Sequence, residues 1–131
     1  MSGLKHTLRS QQKPDKGLGP CATHYLFRVF GDRWSLPVLG LLLVGPMRFA
    51  ELKTALSPVS HRMLVLSLKK LERLGLVARE AAPTSPPQVT YRLTELGLSF
   101  RKPLSVIHAW TVENKAKMLQ AVEVFNRNAR R

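Results

Sequence analysis

The sequence has little cysteine and little acid. A single cysteine, Cys21, in 131 residues excludes an internal disulfide framework and is typical of a reducing cytosol. Eight Asp and Glu stand against 21 Lys and Arg, for a net charge of +13. The expected partner is therefore a polyanion, either a nucleic acid or an anionic membrane surface. A basic protein whose charge only keeps it in solution is the plainer alternative.

Long hydrophobic runs are also missing. The most apolar segment, residues 34–47, is interrupted by Pro37, Gly40, Gly45 and Pro46. It is also shorter than the roughly 20 residues that a membrane-spanning helix needs. We therefore expect a buried core helix and no membrane partner. The N-terminus has no apolar stretch of the kind found in secretory signals.

The sequence also lacks the patterns that carry enzyme chemistry. It has no glycine-rich phosphate loop, no Gly-x-Ser-x-Gly elbow and no paired carboxylates, so we expect neither an enzyme nor a cofactor. Cys21 and His24 are two ligands short of a zinc site, so no metal is expected. Cys21 is a candidate redox or electrophile sensor, because a helix start with basic neighbours favours the reactive thiolate. The alternative is an ordinary small residue at a helix start.

The strongest pattern lies at residues 58–77. With Ser60 as N-cap, a helical period places one apolar side of the helix toward a core. The residues on that side are Met63, Leu64, Ser67, Leu68, Leu71 and Leu74. The opposite side carries Arg62, Lys69 and Arg73, with Leu66 beside them and Lys70 further round. Gly75 supplies the stop. The result is an amphipathic helix with a cationic outer face.

The neighbouring segments favour DNA recognition over an ordinary solvated face. Residues 48–56 predict a short helix with Phe49, Leu52 and Leu56 inward, and the turn at 57–59 completes a helix–turn–helix. Residues 76–82 and 89–93 predict two strands joined by the proline-rich tip at 83–87. Helix–turn–helix followed by a hairpin is the winged-helix arrangement.

The rest of the chain supplies a core and a surplus of apolar surface. Residues 21–30 predict a first helix, and Leu36 to Leu43 a second that is apolar nearly all round. Thr94 should cap a long last helix that Pro103 kinks or splits. Its large side chains exceed what one small domain can cover, which predicts a dimer through Leu104, Ile107, Trp110, Met118, Leu119 and Val122.

Several motifs in order resemble one known family. They are Cys21, then Gly31-Asp32-Arg33-Trp34, and the segments 45–52, 60–64, 68–77 and 86–97. From Cys21 to about Trp110 the chain resembles the HxlR-type winged-helix regulators of bacterial transcription. The resemblance implies a homodimer held by the first and last helices, which adds Phe27 to the interface, and implies that the Arg62 helix enters the major groove. Gln88 and Thr90 depart from the base and acid more common there, and Ala22 replaces a proline.

We therefore expect a mostly α protein with a small β-hairpin (α+β), a winged helix-turn-helix with a long C-terminal dimerisation helix. Residues 1–20 should form a flexible basic arm, or a tail without a role. Residues 21–112 should form the DNA-binding domain and 113–131 a helical extension contributing to dimerisation. The expected function is a homodimeric, sequence-specific regulator of the bacterial cytoplasm and nucleoid. We expect it to repress transcription from an inverted-repeat operator.

The expected DNA contacts divide into base and phosphate readers. Arg62 suits the guanine edge, and Ser60 and His61 lie in the turn that usually points at DNA, with Leu66 behind them. The residues expected on phosphates are Lys69, Lys70, Arg48, Arg79 and Arg92.

Two alternatives remain open at this stage. One is a winged helix that serves only as a protein-interaction module. The other is a regulator that responds to a redox signal through Cys21, or to a small molecule held between dimer helices by Trp34, Phe27 and Trp110.

Overall fold

The structure, a computed structural model, describes residues 21–131, so the predicted basic arm at residues 1–20 lies outside the described part. The elements in chain order are α1 (Ala22–Phe30), α2 (Ser35–Leu42), β1 (Met47–Arg48), α3 (Phe49–Ala55), α4 (His61–Arg73), β2 (Val77–Ala81), β3 (Val89–Leu93), α5 (Glu95–Ser99) and α6 (Arg101–Ala129). The predicted class is confirmed: a mostly helical chain with a winged helix-turn-helix and a long C-terminal helix.

The chain forms two compact units. The first ends at Gly97 and the second runs from Leu98 to Arg131. The division predicted after residue 112 falls inside α6, and that functional boundary stays a prediction. No helix within residues 21–131 combines the length and the apolar character needed to cross a membrane.

The core of the first unit is built around α2 and the inner face of α4. Val38, Leu39 and Leu42 of α2 are almost completely buried, as expected for a helix without a polar face. On α4 the buried residues are Leu64, Ser67, Leu68 and Leu71. This confirms the predicted helical period.

Met63 is a correction to the predicted inward stripe, since it is 39% exposed. With 3.6 residues per turn, it lies about 100° around the helix from Leu64. That angle puts Met63 at the edge of the buried stripe rather than within it.

The sheet has three strands rather than the two of the expected hairpin. Its order is β1-β3-β2, and both pairings are antiparallel. Arg48, expected to begin a helix, instead pairs with Thr90 from β1. A strand of two residues has no alternation that a sequence pattern could detect. On β3 the predicted alternation is confirmed, because Tyr91 and Leu93 are buried while Arg92 is exposed.

The helix ends follow from a few capping groups. Ser60 Oγ accepts a hydrogen bond from the Met63 N–H at 3.1 Å, which confirms the predicted N-cap of α4. Gly75 has a φ of 81°, a left-handed conformation that favours glycine at a helix end. Thr94 Oγ1 accepts from the Gly97 N–H at 3.0 Å and so caps α5.

The predicted last helix is split, and the break lies at Phe100 between α5 and α6. Pro103 explains this position, because its ring clashes with the carbonyl four residues earlier, on Ser99, and it has no N–H to donate. Pro103 itself is accommodated in the first turn of α6, where a missing N–H costs little.

Candidate nucleic-acid interface

The outer face of α4 presents the predicted base-reading residues. Ser60, His61 and Arg62 are all exposed at its N-terminal end. Leu66 is 42% exposed and lies one turn from Arg62, and Lys69 is exposed a turn beyond it. The stripe can enter a groove, with an arginine at its leading end and an apolar contact behind.

Lys69 and Lys70 are neighbours with different surroundings. Lys69 lies in a cleft of about 750 Å³ that is also lined by Arg48, His61 and Arg79. Lys70 Nζ donates to Asp32 Oδ2 at 3.1 Å. The structure therefore leaves Lys69 with other cations and gives Lys70 an acidic partner. Both remain predicted phosphate contacts, but within residues 21–131 Lys69 has no carboxylate at ion-pair distance.

Asp32 is the residue that sequence reasoning missed. Its Oδ1 accepts from the backbone N–H of Trp34 at 2.8 Å and of Ser35 at 2.7 Å. Its Oδ2 accepts from the Ser35 hydroxyl at 2.7 Å as well as from Lys70. An acid three residues before the start of α2 was the available signal, since Asp accepts from orphan N–H groups at helix starts. No sequence pattern pointed to the pairing of Asp32 with Lys70.

The surroundings of Asp32 hold it in the charged form. Partial burial raises the pKa of the carboxyl, but the hydrogen bonds from Ser35, Trp34 and Lys70 outweigh burial, so its pKa lies below the usual value. Asp32 therefore ties the start of α2 to the outer face of α4 with a fixed negative charge.

The two predicted wing arginines lie on opposite faces of the sheet. Arg79 is paired with Tyr91, whereas Arg92 is paired with Ala78, and alternate residues of a strand face opposite sides. Arg79 lines the cleft beside α4. Arg92 instead forms an ion pair with Glu80. The structure brings Arg79 together with Lys69 and separates Arg92 from them.

The start of α3 completes the edge of this surface. The Arg48 N–H donates to Glu51 Oε1 at 3.1 Å, which fixes the first turn of α3. Phe49 and His61 place their rings with centroids 4.9 Å apart at an angle of 59°. This contact joins the two helices of the helix–turn–helix at the end that carries Arg48 and Arg62.

The predicted dimer residues of α6 form exposed apolar surface within the second unit. No residue of α6 is buried. Five of the predicted six are exposed, namely Ile107, Trp110, Met118, Leu119 and Val122, and Leu104 is half-buried. Phe125, which is 72% exposed, extends this surface toward the C-terminus. In the first unit, Phe27 is 67% exposed. The interface itself stays a prediction.

Cys21 lies just before α1 and is half-buried. Its carbonyl accepts from the Tyr25 N–H at 3.0 Å, which makes it the N-cap of α1 rather than part of the first turn. In the part of the chain that the structure describes, no three His, Cys, Asp or Glu residues come together as a metal site would require.

Comparison with known proteins agrees with this geometry. The sequence pattern of HxlR-like helix-turn-helix proteins matches residues 29–120. The HTH-type transcriptional regulator YodB of Bacillus subtilis is 34% identical over 84 residues, covering 64% of this chain and 75% of YodB. YtfH of Escherichia coli, also named as an HTH-type transcriptional regulator, is 32% identical over 99 residues, or 76% of this chain and 79% of YtfH.

Solved structures show the same likeness. The reduced form of YodB matches with a TM-score of 0.62 at 33% identity, over 67% of this chain and 86% of that one. The redox regulator HypR in its reduced form matches with a TM-score of 0.71 at 28% identity, over 76% and 98% of the two chains.

Proposed function

This chain belongs to the HxlR-like helix-turn-helix family, and from its place among DNA-binding transcriptional regulators we propose that it represses transcription by binding an inverted-repeat operator as a homodimer. Repression requires only that the bound protein cover a promoter. We place it in the bacterial cytoplasm, at the nucleoid, and assign it no catalytic activity.

The single observation that carries the proposal is the exposed stripe of Arg62, Leu66 and Lys69 on a helix whose other face is buried in the core. The buried face holds α4 rigidly on the core. The position of a rigid helix in the groove fixes which base each of its side chains reaches. Arg62 is proposed to take a guanine edge, and Lys69 a phosphate.

The exposed apolar side of α6 supports the homodimer. A two-fold dimer presents two copies of α4, which can enter one face of B-DNA when about one helical turn, ~34 Å, separates them. Removal of the chain after Pro103 should give a monomer with weak, salt-sensitive DNA binding. A truncated protein that is monomeric in sedimentation yet still tight on the operator would contradict the proposed dimer.

Selection of bound sequences from random duplex DNA tests the function. The expected result is a two-fold symmetric site, and insertion of about half a helical turn between its half-sites should abolish tight binding. Repression is then checked by in vitro transcription from a promoter that contains the site. Absence of any enriched sequence would favour the alternative, a winged helix used only for protein interaction.

A redox response through Cys21 is the second candidate. Two observations favour it: Cys21, the N-cap of α1, is only half-buried, and a structural relative is named a redox regulator. With one cysteine in the sequence, a disulfide must join Cys21 to a second chain or to a small thiol. Diamide can oxidise two such thiols to a disulfide, accepting two electrons and two protons to become a hydrazine.

The redox candidate is tested by DNA affinity and non-reducing electrophoresis before and after diamide treatment. Diamide should change the DNA affinity of the original protein, reduction should restore that affinity, and Cys21→Ser should not respond. An equal response of both proteins, or no response in either, would leave Cys21 as a structural residue.

A further inference from the structure

We propose that the cleft between α4 and the hairpin of β2 and β3, named here the wing cleft, binds a small aromatic carboxylate, and that this ligand and DNA exclude each other. The first part stands on the cleft alone. The second part rests on the proposed function, because it assumes that DNA is bound through the same cations.

The floor of the wing cleft is apolar. Val65 of α4 faces it together with Val89 and Tyr91 of β3, and Phe49 lines it beside the ring of His61. Its volume of about 750 Å³ lies within the roughly 300–1,000 Å³ range of small-molecule sites. A flat aromatic ring matches such a floor, since aromatic groups gain from both apolar burial and ring contacts.

The rim of the wing cleft is cationic. Arg48 comes from β1, Lys69 from α4 and Arg79 from β2, so three separate elements bring positive charge to one opening. Among residues 21–131 none of these three makes an ion pair, in contrast to Lys70 and Arg92. A carboxylate can therefore bind there without displacing an existing partner.

One acid, Glu72, also lines the cleft. Among residues 21–131, three cations less one carboxylate leave a formal charge of +2 when histidine is left out of the count. The rim therefore still favours an anion. Glu72 also provides a control, because removing its charge should strengthen the binding of an anion while removing Lys69 should weaken it.

A DNA strand alone does not account for this combination. Phosphate contacts require cations and donors, but they make no use of an apolar floor. A concave apolar floor with a few charged groups at its edge is the usual composition of a small-molecule site. Because Arg48, Lys69 and Arg79 are also the predicted phosphate contacts, a ligand held by them withdraws them from DNA.

Binding is tested with the full chain by amide NMR, with benzoate as the probe. Benzyl alcohol has the ring without the charge, and acetate has the charge without the ring. Benzoate should shift the amides of Val65, Val89 and Tyr91 saturably. Each control should bind about tenfold more weakly, as expected for loss of one charge-assisted contact or of the buried ring. Equal affinity for benzoate and acetate would overturn the proposal.

Three variants of nearly conserved shape separate rim from floor. Lys69→Gln should weaken benzoate binding several-fold, and Glu72→Gln should strengthen it. Val65→Thr changes no charge but places a hydroxyl in the floor, so it should weaken the binding of benzoate and leave the binding of acetate unchanged. If Lys69→Gln weakens the binding of benzoate while Val65→Thr does not, benzoate binds only as an anion at the rim, and the apolar floor takes no part in binding.

Exclusion is tested by fluorescence anisotropy with a labelled duplex, at constant ionic strength maintained with sodium chloride. Benzoate should raise the apparent Kd for DNA as the fraction of empty clefts measured by NMR falls, and benzyl alcohol should not. Benzoate binding without any effect on DNA would overturn the second part alone. A protein that binds benzoate but no DNA would refute the proposed function and leave the ligand site standing.

Discussion

Replacement of Asp32 by asparagine should strengthen the binding of DNA, because Asp32 partly neutralises Lys70 on the outer face of α4. The carboxylate accepts from Lys70 Nζ at 3.1 Å. Asparagine has the same shape, and its oxygen can still accept from the Trp34 and Ser35 N–H groups, which lie 2.8 and 2.7 Å from Asp32 Oδ1. The substitution therefore keeps the cap of α2 and releases the ammonium group.

The size of the effect follows from one added phosphate contact per protomer. Each contact makes the slope of log K against log salt steeper by about 0.9. Between about 50 and 200 mM salt, a fourfold range, that slope corresponds to a factor of roughly 3.5 in affinity per contact. The cost in stability should be about 1 kcal/mol or less, because Asn caps helices nearly as well as Asp and the Lys70 end of the pair is substantially exposed.

The assay is anisotropy with a labelled duplex of arbitrary sequence at several salt concentrations. Asp32→Asn should show the steeper slope, and the double variant with Lys70→Gln should return to the slope of Lys70→Gln alone. Urea unfolding at the same temperature checks that Asp32→Asn remains folded. A slope equal to that of the original protein would show that Lys70 does not reach phosphate once it is released.

Three further predictions concern other parts of the chain. Arg62→Ala should cost about 1–3 kcal/mol of binding free energy on the selected operator and flatten base preference at one position. Lys69→Ala should instead weaken the binding of all duplexes alike and reduce the salt slope by about 0.9. Both effects are measured by anisotropy. Gly97→Ala should destabilise the fold by about 1–3 kcal/mol in urea, because its Cβ would lie 2.1 Å from the Leu76 carbonyl oxygen. Gly40→Ala should instead stabilise α2 by up to about 1 kcal/mol, because a Cβ there would meet no neighbouring atom of residues 21–131 within 4 Å. The pKa of Asp32 is lowered in the fold. The charged carboxylate therefore contributes to stability above the pKa of the unfolded chain, about 4, and this contribution is lost as pH falls through the pKa of the folded protein. The urea midpoints of the original protein and Asp32→Asn should converge in that acid range.

The period of a helix predicts which side is buried, and little about the outer side. The inward residues Leu64, Leu68 and Leu71 followed from spacing alone, because burial on α4 repeats with the helical turn. Spacing could not separate Lys69 from Lys70. Their difference depends on Asp32, which is 38 residues away in the chain from Lys70, and such a pairing is fixed by packing rather than by local sequence.

The same limit applies to the wing. The alternation of Val89, Tyr91 and Leu93 predicted the inner face of β3, but not which residues of β2 stand opposite. Once the register pairs Arg79 with Tyr91, Arg79 must face α4 and Arg92 must face away. Strand register depends on the turn and on both strands together, so the wing cleft could not be recognised before the structure was known.

The shared cations of the wing cleft have a quantitative consequence for regulation. If ligand and DNA exclude each other, a ligand at ten times its Kd lowers the apparent DNA affinity of one site by a factor of about 11, which is 1 + [L]/Kd. A homodimer contains two wing clefts, and an operator complex requires both to be empty, so the factor becomes about 120 at the same concentration. By reciprocity, an operator-bound dimer must bind the ligand more weakly by the same coupling free energy.

The dimer proposed from α6 and the exclusion proposed at Lys69 and Arg79 are thereby tied to one measurable quantity, the order of the dependence of DNA release on ligand concentration. At benzoate concentrations well above its Kd, a DNA affinity that falls with the square of the benzoate concentration requires both proposals. A DNA affinity that falls only in simple proportion would leave one cleft acting on each DNA complex.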